Sequence, residues 1–200
     1  NKISFSELVD RLRASRVIFM GEAHDRMDHH RNQVRVLREL LKGSQRVVVA
    51  MEMFQRSQQP ILDRWSRGGL TEDTFLKEVR WEATWGIDYA FYKEILDLAR
   101  ENRIKVLGLN IPKDLVRKVA QGGIESLSGD DRRELPEMDL KDPDHRRYIQ
   151  SVFHGHREGT AKAFEYFYQA QCLWARLAGS LAAVHRDGHA NIYRPLQNDL

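Results

Sequence analysis

Apolar residues fall into two rhythms along the first 112 residues of this chain. "SFSELVDRLRASR" spaces Phe5, Leu8, Val9 and Leu12 at helical intervals, with Ser4 or Ser6 placed to cap the helix. "RVIFMG" is a short unbroken apolar run rich in β-formers and closed by Gly21, the pattern of a strand buried on both faces. From Asp28, "DHHRNQVRVLRELLKG" returns to helical spacing through Val34, Val36, Leu37, Leu40 and Leu41, with Gly43 as its expected C-cap. "RVVVAMEMF" predicts a second buried strand. "SQQPILDRWSRGGLTEDTFLKEVRW" then predicts helix broken at Gly68-Gly69, with Thr71 and Thr74 as caps. "DYAFYKEILDLARENR" is an amphipathic helix leading into a third strand, "IKVLGLN", which Pro112 stops.

Buried strands alternating with helices predict an α/β fold: a largely parallel sheet flanked by helices. Residues 16–20, 46–51 and 105–109 are expected to be adjacent parallel strands, because each connection holds a crossover helix. From Lys113 the chain turns polar and helical. "KDLVRKVAQGG" leads through a polar loop into a long helical stretch from His145 to about Ala183. The expected organisation is an α/β core over 1–112, an inserted helical subdomain over 113–183 and an irregular tail over 184–200. That tail has no run of four apolar residues, so it is expected to form no central strand and to leave His189 away from any site.

Composition narrows the classes. The chain has 200 residues, 42% hydrophobic and 30% charged, enough for a sizeable core. Its 32 basic and 29 acidic side chains are interspersed, which gives no footprint for nucleic acid. No run of about 18 apolar residues suggests a membrane span. One cysteine, Cys172, excludes an internal disulfide, a four-cysteine zinc site and an iron–sulfur cluster.

The chemistry concentrates in "GEAHDRMDHHRNQ", residues 21 to 33, which holds three of the eight histidines directly after the first strand. Functional groups in a parallel α/β sheet collect beyond the carboxyl ends of its strands. Glu22, His24 and Glu52 are therefore expected to converge on one crevice, with Asp25 at the rim. His29 and His30 open the next helix, and Gln33 shares a face with either. His30 is expected to point inward and His29 outward. Such a set can bind a divalent metal, act as general acid and base, or hydrogen-bond a polar ligand. Trp81, Trp85, Tyr89 and Tyr92 are spaced as a helix face and are expected in the core. His154 and His156 read as surface histidines on a helix, and "YFYQAQCLW" is aromatic all round.

These residues resemble the ChaN-like haem-binding uptake family of the Tiki and erythromycin esterase-like superfamily. The resemblance rests on "VIFMGEAHDRMDHHRNQ", "MEMFQRSQQPILDRW", "WGIDYAFYKEIL", "VLGLNIP" and "YFYQAQCLW", and spans about residues 15–174. It implies a Tiki-type α/β fold with an added helical subdomain, and a role in bacterial haem and iron uptake. By motif match, Glu22, His24, His30 and Glu52 carry over as the polar site and as the ligands of any divalent metal. Were the chain a metal- or His-dependent esterase or protease, Glu22, His24 and Glu52 would be its catalytic groups. The resemblance also implies a tyrosine on the haem iron. Tyr168 and Tyr166 are the candidates, with His154 as helper and Tyr148 as the next choice. Arg or Lys at the rim would meet the propionates. Expected partners are haem and a second copy of the chain, with the membrane reached only through a lipid anchor on a removed leader, as in an exported periplasmic or outer-membrane lipoprotein. The sequence departs from the family after Trp174: no apolar strand precedes Gly188-His189, so the end of the family domain is expected to be missing or altered.

Overall fold

A computed structural model describes residues 2–43, 46–133, 135, 138–153, 160–175 and 190–192. They fall into two compact units, one of 2–109 with 190–192, the other of 110–175. The fold is α/β, with a small, largely parallel sheet.

In the first unit, helix α1 (Phe5–Arg13) starts at Ser4, whose hydroxyl accepts from the Glu7 amide at 3.1 Å. Strand β1 is only Val17–Ile18. Helix α2 (Met27–Leu41) buries His30, Gln33, Val34, Leu37 and Leu40, one continuous stripe at intervals of three and four. Strand β2 (Val47–Gln55) is buried from Val48 to Phe54. Helices α3 (Gln59–Ser66), α4 (Glu72–Val79), α5 (Trp81–Thr84) and α6 (Ala90–Glu101) follow, and Thr71 caps α4 as expected. Trp65 anchors this layer: its ring stacks on Phe75 at 4.3 Å and its Nε1 donates to Leu96 O at 2.9 Å. Strand β3 is Lys105–Asn110.

The strand order is β1-β4-β2-β3, with β4 being Ala190–Ile192. Two expectations are corrected by this order. The strands formed by the first two apolar runs are not neighbours, because β4 lies between them and parallel to both. The tail does supply a central strand. A strand held on both sides needs only a few residues, since its amides and carbonyls are paired by two neighbours rather than by apolar mass. β4 thus fills the sheet position between β1 and β2. His189 lies outside the described residues.

Edge strand β3 is covered by side chains of α3 among the described residues. Gln59 Nε2 donates to Val106 O at 2.8 Å, the Gly108 amide donates to Gln59 Oε1 at 3.2 Å, and the Val106 amide donates to Ser66 Oγ at 3.1 Å. One helix face thus supplies the groups that a further strand would offer.

The second unit holds α7 (Lys113–Gly122), α8 (Gly129–Arg133), α9 (Pro143–Phe153) and α10 (Ala161–Ala175). Leu115, Val119, Leu127, Ala170 and Leu173 form one cluster, and Ile149, Tyr168 and Cys172 another. The long helical stretch expected from His145 to about Ala183 is formed by α9 and α10 in the described residues, and His154 and His156 lie outside the described residues. Among the described residues no helix is long and apolar enough to cross a membrane.

Candidate functional site: a buried glutamate gathering two histidines, a tyrosine and a glutamine

Strand register explains why distant residues meet. Ile18 and Val49 both pair with Ile192, so the three strands are level there. β2 continues to Gln55 while β1 has already ended. Glu52 therefore stands three residues, and Glu22 four residues, beyond the same level of the sheet. The loop after β1 and the overhang of β2 share the space at the strands' carboxyl ends.

The Glu22 carboxylate is the centre of this space, with its side chain fully buried. Oε1 accepts from the Tyr92 hydroxyl at 2.8 Å and faces His24 Nδ1 at 2.9 Å. Oε2 accepts from Gln33 Nε2 at 2.8 Å and lies 3.2 Å from His30 Nδ1. A carboxylate only accepts, so Nδ1 of His24 carries the hydrogen. Its Nε2 then faces Glu52 Oε1 at 3.9 Å, an ion-pair distance too long for a direct hydrogen bond. The His24 ring, about a quarter exposed, stands edge-on to Trp85 at 4.9 Å.

His30 is almost wholly buried, packed against Phe91 and Tyr92. Its Nε2 lies 3.0 Å from the His24 carbonyl, which can only accept, so Nε2 bears hydrogen. Its Nδ1 looks at Glu22 off the line of a good hydrogen bond, within ion-pair distance. Burial pulls the His30 pKa down, but the Glu22 carboxylate beside it, helped by the His24 carbonyl, raises it above the ordinary histidine value. Burial first, then the charge and hydrogen bond of Glu22, push the Tyr92 phenol far up, so it stays a donor.

His30 points inward as expected. His29 is a correction: it turns back and its Nδ1 accepts from the Ala23 amide at 2.9 Å, holding the loop from the other side. Asp25 is exposed at the rim. Tyr92, expected only in the core, is part of the site. Its signal was present in "WGIDYAFYKEIL", but helical spacing alone does not distinguish a core tyrosine whose hydroxyl meets a buried acid.

No cluster of three or more His, Cys, Asp or Glu among the described residues is arranged to hold a metal ion. The reason is visible in the bonding. Both Glu22 oxygens are turned to protein donors, and His30 Nε2 is committed to a carbonyl. The divalent-metal reading of Glu22, His24, His30 and Glu52 is thereby left without support.

The tyrosines of the second unit differ sharply. Tyr168 has no exposure; it stacks on Phe164 and its hydroxyl reaches Asp142 O at 3.4 Å. Burial, with the neighbouring Cys172, pushes its phenol up to about 12. Tyr166 is half-buried and lies under the Lys162 ammonium, 5.5 Å from the ring centroid. Tyr148 is 59% exposed.

A parallel α/β unit with a carboxylate–histidine cluster beyond its strand ends, joined in the chain to an all-helical unit, defines a class of fold in which the first loop carries the polar groups. The chain belongs to the haem-binding uptake family of the Tiki superfamily, ChaN, whose model matches residues 8–193. A solved structure of cofacial haem binding to ChaN of Campylobacter jejuni is similar in fold, with a TM-score of 0.74 at 19% identity over 98% of this chain and 76% of that one. A comparison with curated proteins finds no match.

Proposed function

We propose that this protein binds haem and serves haem or iron uptake in a bacterium. Membership of the haem-binding uptake family supports the reading, as does the haem bound by the structural neighbour. The observation that carries it here is the donor chemistry of the helical unit. Tyr166 is partly exposed beside a cation, while Phe164 and Phe167 on the same helix are only partly buried. A tyrosine oxygen suits ferric iron, aromatic side chains suit a porphyrin face, and a lysine suits a propionate. Tyr166 is the preferred iron ligand. Tyr168 would first have to leave its buried position. Bound haem would supply the iron; the chain supplies the oxygen, the apolar contacts and the cation.

Titration with hemin tests this reading. A Soret band that saturates at a fixed stoichiometry is expected, and Tyr166→Phe should change the spectrum while far-ultraviolet circular dichroism stays the same. Absence of saturation overturns it. Export to the periplasm or outer membrane on a lipid anchor belongs to the same proposal, and cell fractionation with palmitate labelling checks it.

A second reading is favoured by one feature, the Glu22–His24 pair. Glu22 orients His24 through Nδ1 and turns its Nε2 toward Glu52 at 3.9 Å. That geometry suits a general base that takes a proton from water to hydrolyse an ester or peptide, without a metal. Turnover of a generic ester that is abolished by His24→Asn would establish it; no turnover in the metal-free wild type would remove it.

A further inference from the structure

We propose that Lys162 is a positioning residue for haem, placing a positive charge beside the Tyr166 phenol where it would meet the iron. The inference rests on the haem reading above. Lys162 lies one helical turn before Tyr166 on α10, with its ammonium 5.5 Å from the ring centroid. The Tyr166 phenol beside that ammonium, with the nearby Glu125 charge, raises the lysine pKa above its ordinary value.

The ring also packs against Gly123. This residue has φ +75°, and a Cβ there would lie 2.5 Å from Tyr166 Cε1 and 2.6 Å from both Glu125 carboxylate oxygens. Only glycine leaves that space for the ring. The same turn is tied to α10 by the Ile124 amide, which donates to Gln169 Oε1 at 2.9 Å. Backbone thus packs close to the ring at Cε1, and the Lys162 ammonium stands beside the same ring.

A phenol that binds ferric iron does so as the anion, its proton passing to water. A neighbouring ammonium stabilises that anion and would withdraw electron density from an iron–oxygen bond. Lys162 is exposed, so screening keeps the effect modest.

The test compares wild type, Lys162→Met, Lys162→Arg and Tyr166→Phe, each loaded with hemin. Two quantities are read: the phenolate-to-iron charge-transfer band, and the rate of haem loss to apomyoglobin. Lys162→Met is expected to shift the band and release haem about three- to fivefold faster, with Lys162→Arg close to wild type. In the Tyr166→Phe background, Lys162→Met should add nothing, since the lysine acts through the phenol. A Lys162→Met protein identical to wild type overturns the inference while leaving the haem reading standing, as does an equal effect in the Tyr166→Phe background. A wild-type chain without saturable haem binding overturns both.

Discussion

The Tyr92 hydroxyl donates to Glu22 Oε1 at 2.8 Å across 70 residues of sequence. This bond joins α6 to the loop after β1, and both partners are buried. The same carboxylate oxygen faces His24, so the orientation of that ring depends on a residue from a different part of the chain.

Tyr92→Phe removes one donor from a buried carboxylate, together with a hydroxyl 3.5 Å from His24 Nδ1. The expected cost is about 1–3 kcal/mol, the range for leaving a buried polar atom short of a partner. Urea unfolding measures it. A midpoint unchanged from wild type would mean that the hydroxyl contributes nothing net to the cluster.

His30 predicts the direction of a pH effect. Its folded pKa is raised above the ordinary 6.5 because Glu22 outweighs the opposing effect of burial. A raised pKa means the folded state holds the proton more tightly than the unfolded chain does. The stabilisation is therefore fully present below pH 6.5 and is lost as pH rises through the folded pKa. His30→Gln should flatten this decline in unfolding free energy on the alkaline side of pH 6.5. A decline of the same size in the variant would assign it to other groups.

Much of this site was legible because its parts are local. Glu22, His24, His30 and Gln33 lie within twelve residues, and the ending of β1 at a glycine-containing loop told where they would gather. Tyr92 was not legible, since its role depends on α6 lying across the end of β1. β4 was not legible either. Ala190, Asn191 and Ile192 carry no apolar run, and their place follows from backbone pairing with β1 and β2. For the same reason, strand adjacency could not follow from crossover length alone.

Tyr168 and Tyr166 should separate cleanly on mutation. The hydrogen bond of the Tyr168 hydroxyl to Asp142 O is long, 3.4 Å, so Tyr168→Phe is expected to change stability by under about 1 kcal/mol and leave a hemin spectrum unaltered. Tyr168→Ala empties a fully buried ring site and should cost about 3–5 kcal/mol. Spectral loss in Tyr168→Phe, with Tyr166→Phe silent, would reverse the assignment of the iron ligand.

Gln59 tests how the sheet ends. β3 lies at the edge, and its outward groups at Val106 and Gly108 are met by the two ends of one carboxamide. The pairing needs a donor and an acceptor in one side chain: Nε2 for the Val106 carbonyl, Oε1 for the Gly108 amide. Gln59→Ala removes both and should cost about 1–3 kcal/mol, since the two backbone groups sit partly buried under α3. Gln59→Glu keeps the acceptor but turns a carboxylate oxygen toward the Val106 carbonyl, so it should be destabilised at pH 7 and partly recover in acid, where a protonated carboxyl can donate again. Both variants also uncover strand edge, which invites pairing between chains. Urea unfolding and light scattering at matched concentrations read the two effects. If Gln59→Ala unfolds and scatters like wild type, α3 does not protect this edge, and another element must cover β3.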